Sequence, residues 1–388
     1  MTPEFPMPRA CPYHPPPGYD DLPGPVTRAE LPSGEPVWVV TGYDEARALL
    51  TDPRISSDST NPDHPEIALP RGAARPDRER KRLVQTFVEM DEPEHGDHRR
   101  AVIPEFTVRQ ARALRPAVQA DADALLDRIL AAGPPVELVS SYAVRLPAMT
   151  LARVFGVPEQ DHAFFVEHAI PPVLNKDDAG PAFGALASYF GKRLEAAGDG
   201  VIGALGRRVT AGELSERQAV NTCLMLLVAG HETTANMIAL GTLTLLAHPD
   251  QLAVVRREGA AGAVDELLRY LSIADTIPRV ATADVAVGGT TIRAGDGVVL
   301  SLAASNRDDR AFTDAATLHV RRRARHHLAF GYGRHQCLGQ NLARVELDVA
   351  LTALFARVPD LRPAVGQDRL PVKPAVGLQG VTELPVVW

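Results

Sequence analysis

The stretch FGYGRHQCLG at residues 330–339 decides how the rest of the chain is read. Its cysteine, Cys337, is followed by Leu338, Gly339 and a helical pattern, and so sits at a helix N-terminus. There, backbone N–H groups and the helix dipole stabilise a thiolate. That makes Cys337 a metal ligand or a nucleophile. Gly331, Gly333 and Gly339 let the backbone turn tightly and approach something flat without Cβ clashes. A lone cysteine in a glycine-rich turn is most simply a buried thiol. The spacing of one Phe, three Gly, one His and one Cys tells against that reading.

Working outward, a last long helix is expected from about Leu338 to Val358, then a proline-rich, β-like tail. Upstream lies an irregular arginine-rich segment, preceded by two β-rich runs, VATADVAVGGTTI and GVVLSLAA. Before them, from Asp91 to about Gly262, the pattern is mostly helical, with breaks near 133, 156, 171 and 181. Within it, Ser215 and Gln218 form a capping-box pattern opening a helix that runs to His248. Those 34 residues span about 50 Å at 1.5 Å per residue, so the helix belongs in a core. Nearer the start, PVWVVT at 36–41 reads as a strand and Tyr43–Leu50 as a helix ending before Asp52-Pro53. Asn61 to Arg82 is polar, without period, and reads as a mobile surface loop.

Composition narrows the class. With 45% hydrophobic and 23% charged residues, the chain of 388 is an ordinary globular protein, neither disordered nor collagenous. Cys11, Cys223 and Cys337 are too far apart in sequence to predict a disulfide framework, which suits a reducing cytoplasm. The net charge of −7 argues against nucleic acid as a partner. Eleven prolines in the first 36 residues exclude a signal helix and suggest a strap, residues 1–35, lying on the fold. LMLLVAG at 224–230 is cut by His-Glu-Thr-Thr short of a membrane span, so no membrane is expected. No repeat or linker divides the chain, and residues 1–388 read as one domain.

The 330–339 stretch resembles the signature of the cytochrome P450 family, F-G-x-G-x-H/R-x-C-x-G, at every fixed position. The resemblance covers nearly the whole chain, from VWVVTGYDEARALL to ELPVVW, and is nearest to soluble bacterial members with separate redox partners. It implies a mainly α fold with small β-sheets and a long central helix over haem b, iron protoporphyrin IX. It implies Cys337 as the axial thiolate of the iron, His335 as a propionate partner and Phe330 packed near the sulfur.

Three further motifs join it. AGHETTA at 229–235 places an acid and two threonines in an apolar helix, where hydroxyls compete for carbonyls and invite a kink or π-bulge. The resemblance makes Ala229 a haem neighbour and implies that Glu232 and Thr233 relay protons to oxygen. The H-E-x-x-H zinc pattern, begun at His231, fails at Ala235. Glu266 and Arg269 lie three apart on a helix, a spacing that alone suggests a surface ion pair. P450s carry an E-x-x-R here, joined by an arginine that would be Arg322, although Leu318-His319 replaces the commoner Phe-Asp. His95 and Arg99, four apart, can clamp a carboxylate; with Arg279 they match propionate ligands of the family.

The activity so implied is monooxygenation of a lipophilic small molecule, a secondary metabolite or xenobiotic, by hydroxylation or epoxidation. Dioxygen, a ferredoxin and a ferredoxin reductase are the expected partners, and the protein is expected to be a cytoplasmic monomer. Six arginines and no acid between Ala315 and Val345 suggest the ferredoxin's landing place. Candidates to line the pocket are Val84, Phe87, Val88, Leu224, Leu227, Val228, His231, Ile277 and Leu378. Two other classes compete. A zinc enzyme would use His326, His327, His335 and Cys337. A non-catalytic haem carrier would not need the Glu232-Thr233 pair.

Overall fold

The computed structural model describes residues 2–388 except 10, 12, 175–178, 197 and 374–376. The chain divides into two compact units. One comprises Met1–Gly96, Asp265–Cys337 and Val372–Gly380; the other comprises Asp97–Val264, Leu338–Pro371 and Val381–Trp388.

The first unit is built on a five-stranded sheet in the spatial order Val26–Glu30, Pro36–Val40, Gly297–Ser301, Thr276–Ala281 and Ile55–Ser56. Alternation along its strands separates two cores. Val37, Val39 and Val299 pack on Phe5, Met7, Tyr19 and Leu31, whereas Val40, Val298 and Leu300 pack on Tyr43, Leu49, Phe312 and Leu328. The PVWVV strand and the helix Tyr43–Thr51 lie where the sequence puts them. The GG step of the first β-rich run makes a hairpin, with Gly288 and Gly289 at φ 57° and 76°, the left-handed conformation such two-residue turns need.

Two expectations change in this unit. The proline-rich lead is more than a strap: its Val26–Glu30 is an edge strand paired antiparallel with Pro36–Val40. An ion pair of 3.0 Å between Arg9 and Asp275, buried on both sides, ties the lead to the start of Thr276–Ala281. The 61–82 loop runs into a helix, Arg78–Val84, capped by Asp77, whose carboxylate accepts from Arg80 N at 2.9 Å. That helix is amphipathic on no face, so periodicity does not reveal it.

The second unit is mostly helical. Its longest helix, Glu216–Ala247, opens with the expected capping box: Ser215 Oγ accepts from Gln218 N at 3.3 Å and Gln218 Oε1 from Ser215 N at 2.9 Å. It packs on the helices Arg145–Phe155, Ala179–Leu194, Gly200–Thr210 and Gln340–Arg357. By length and composition it would suffice to cross a membrane, so the acid and threonines do not break its apolar run as the sequence suggested. Most of that run is buried inside its own unit, as in a core helix. The tail strand Pro385–Val387 pairs with Val136–Glu137 and Arg362–Pro363 in a small sheet.

Candidate functional site

The cysteine loop is a set of short backbone bonds. Gly331 N donates to Leu328 O at 2.7 Å and Cys337 N to Phe330 O at 2.8 Å. Gly331 and Gly333 have φ of 67° and 73°, and a Cβ on Gly333 would lie 2.7 Å from Leu50 O, so neither position suits a side chain. Gly339 differs: its φ is −81°, it caps the helix Gln340–Arg357, and a Cβ there would meet no protein atom within 4 Å. Neither the backbone nor a neighbouring protein atom among the described residues requires glycine there. Cys337 is half-buried and in no disulfide.

Beside this loop the unit gathers cations. The rings of His95 and His335 are 4.1 Å apart. His335 Nε2 bonds Ser57 Oγ at 3.0 Å, and Ser57 N donates to Asp91 at 2.8 Å. His95 Nδ1 pairs with Glu92 at 3.0 Å, which leaves its Nε2 buried with no hydrogen-bond partner among the described residues. Arg279 is half-buried on Thr276–Ala281, donates to Pro278 O at 2.7 Å, and has no carboxylate within ion-pair distance among the described residues. Burial pulls its pKa down to about 10. Buried donors and cations are ordinarily satisfied, so these two fit a bound group that carries carboxylates. Arg99 is half-buried one turn beyond His95 on the helix Glu94–Arg100. Ser57, Asp91 and Glu92 carry no sequence signal for this supporting role.

On the long helix, Thr233 Oγ1 donates to Ala229 O at 2.6 Å, yet the backbone stays α-helical throughout. The expected π-bulge is absent from these residues; the hydroxyl takes the carbonyl without opening the helix. Val228, at 40%, and Ala229 are exposed, and Leu224, Glu232 and Thr233 are half-buried. Leu227 and His231 are buried. In the first unit Val84 and Val88 are exposed, Ile277 and Leu378 half-buried. Phe87 is buried, its ring 6.4 Å from that of His95.

The family model described as Cytochrome P450 matches residues 260–358. Cytochrome P450-SOY of Streptomyces griseus is 48% identical, with 99% of this chain and 94% of that protein covered. Pentalenic acid synthase of Streptomyces avermitilis is 46% identical over 99% of this chain and 97% of its own. The chain belongs to the cytochrome P450 family. A crystal structure of the P450 mycinamicin VIII C21 methyl hydroxylase from Micromonospora griseorubida, bound to mycinamicin VIII, superposes with a TM-score of 0.89 at 39% identity, covering 100% of both chains. P450s bind haem b through a cysteine thiolate, and this chain is accordingly a P450 monooxygenase of the bacterial type with separate redox partners and a lipophilic substrate.

The P450 E-x-x-R pair is no surface bridge here. Glu266 and Arg269 are wholly buried and joined by two bonds, 2.7 and 2.8 Å, and Arg322 Nε donates to Glu266 at 3.2 Å. Where the commoner family segment has Phe-Asp, the backbone N of His319 donates to Glu266 at 2.9 Å. The arginines of 315–345 therefore divide. Arg322 serves the pair and Arg344 bonds Gln340, whereas Arg321, Arg323, Arg325 and Arg334 are exposed. The zinc reading fails on placement. His326 stacks on Phe312 with centroids 4.4 Å apart, His327 faces Asp265, and His335 holds Ser57. Among the described residues no three potential ligands converge.

Proposed function

We propose that Cys337 is the haem ligand of this monooxygenase, that His95, Arg99, Arg279 and His335 bind the propionates, and that Glu232 and Thr233 carry protons. The observation that carries the reading is that, in the unit holding the Cys337 loop, His95 Nε2 is buried without a hydrogen-bond partner among the described residues, while the Arg279 guanidinium meets the Pro278 carbonyl but no carboxylate within ion-pair distance. Haem, when bound, supplies dioxygen activation, with the thiolate favouring O–O cleavage. The protein's share is to hold the propionates, orient the substrate, exclude water and deliver two protons per turnover. In balance, RH, O2, two electrons and two protons give ROH and water.

Glu232 and Thr233 suit proton delivery because both are half-buried on an otherwise apolar helix, and the Thr233 hydroxyl, donating to Ala229 O, keeps its oxygen lone pairs for a donor. Val228 and Ala229, exposed on the same turn, with Leu224, Val84, Val88, Ile277 and Leu378, are the proposed substrate contacts. A bulky secondary metabolite is the proposed substrate, by likeness to the relatives named for pentalenic acid and mycinamicin VIII. Ferredoxin, reduced by its reductase, is the proposed donor, landing on Arg323, Arg325 and Arg334. We take all 388 residues as one P450 domain acting as a cytoplasmic monomer. The test is reduction under carbon monoxide, followed by turnover with ferredoxin and reductase. A red-shifted Soret band and products heavier by one oxygen are expected; a ferrous complex without that shift overturns the ligand assignment.

A further inference from the structure

The His231 ring is 1% exposed, and its Nε2 bonds Val144 O at 2.6 Å. The carbonyl belongs to the junction between a π-helical turn, Val139–Ala143, and the helix Arg145–Phe155. That junction is itself well held. Glu137 accepts from Val139 N and Ser140 N at 2.9 and 2.6 Å, and the Tyr142 hydroxyl donates to Ala350 O at 2.9 Å. One residue before His231, a Cβ on Gly230 would come within 3.1 Å of Leu151 Cδ2, so the long helix lies close against Arg145–Phe155 at this step. Isolated π turns are rare and favour functional places.

In a helix, two residues turn about 200°, so His231 and Thr233 point to opposite sides and Glu232 lies between. The Thr233 hydroxyl back-bonds Ala229 O, a contact that loosens and bends helices. The segment is nevertheless regular. We propose that His231 is a positioning residue: its bond to Val144 O fixes the rotation of the long helix at the step carrying Glu232 and Thr233. This rests on the reading of that pair as proton carriers. It assigns His231 a role that neither core packing nor substrate contact describes, because the ring reaches backbone on the far side of the helix.

Two variants separate donor from bulk. His231→Gln keeps an N–H that reaches the same carbonyl; His231→Leu fills the space without one. Two readouts are taken: the fraction of electrons recovered in product rather than hydrogen peroxide, and amide hydrogen exchange over residues 226–236 in haem-loaded and haem-stripped protein. Expected are a several-fold loss of coupling and at least tenfold faster exchange in His231→Leu, both restored to within about twofold by His231→Gln. The double variant His231→Leu/Thr233→Ala should couple no worse than Thr233→Ala alone. Exchange in His231→Leu matching the parent, or His231→Gln behaving as His231→Leu, overturns the positioning role. Should Thr233→Ala leave coupling unchanged, the proton-carrier reading falls by itself, and the exchange measurement still decides for or against His231.

Discussion

Arg279, read as a propionate ligand, should differ in its energetics between the haem-free and haem-bound protein. A half-buried guanidinium without a carboxylate costs stability, and burial already drags its pKa down to about 10. Given a propionate, the same charge becomes half of a buried pair, and deleting one partner of such a pair costs about 3–5 kcal/mol. Arg279→Met is therefore expected to shift two measurements in opposite directions. The haem-stripped protein should melt no lower than the parent, whereas haem should pass to a scavenging globin at least a hundredfold faster. Equal loss rates would remove Arg279 from the propionate site. Cys337→Ser should abolish the red-shifted Soret band of the ferrous carbon monoxide complex without loss of helical circular dichroism. At this scale much was legible, because Cys337, His335 and the glycines lie within ten residues of one another. Ser57, Asp91 and the pairing of His95 Nδ1 with Glu92 were not, since each is defined by what folding brings beside it.

The helix that follows the cysteine hides an acid. Glu346 on Gln340–Arg357 is 2% exposed, its Oε2 has no hydrogen-bond partner among the described residues, and burial raises its pKa to about 8 from a free value of 4.5. Between those pH values the folded chain keeps a proton that the unfolded chain releases, so stability falls with rising pH, by about 1.4 kcal/mol per unit, then levels above pH 8. Glu346→Gln removes this dependence. Urea unfolding of the holoenzyme should show the variant gaining on the parent from pH 5 to pH 8; parallel pH profiles would mean that the carboxyl is not held neutral. Glu266 calls for the opposite argument. Its carboxyl oxygens accept from two arginines, and Glu266→Gln leaves Arg269 buried without its partner, for a loss of about 3–5 kcal/mol in the same assay. Elements were legible where the pattern is periodic or capped, as in Ser215–Gln218. The helix Arg78–Val84 and the π turn Val139–Ala143 were not: one buries no residue, and the other combines a local bond from Val139 N to Glu137 with a tertiary one from Tyr142 to Ala350 O.

For the whole molecule the sum of charges misleads. The chain carries −7, yet the segment before the cysteine is basic, and within its unit Arg321, Arg323, Arg325 and Arg334 stay exposed after Arg322 is taken by Glu266. Of the six arginines of 315–345 only Arg322 was marked in the sequence, as the partner of Glu266; which of the others face solvent was not legible, because folding decides it. Exposed charges act over roughly one Debye length, about 10 Å at 0.1 M salt, so a local basic patch can attract an acidic donor that the net charge would repel. Arg334→Glu and Arg323→Glu should each slow reduction by ferredoxin several-fold at low salt, with the deficit shrinking as ionic strength rises. Arg344→Gln, on a side chain already bonded to Gln340, should change it little. Stopped-flow reduction across a salt series separates the cases. A parent rate that does not fall with salt would place the donor elsewhere, because a patch that steers by charge must lose its advantage when that charge is screened.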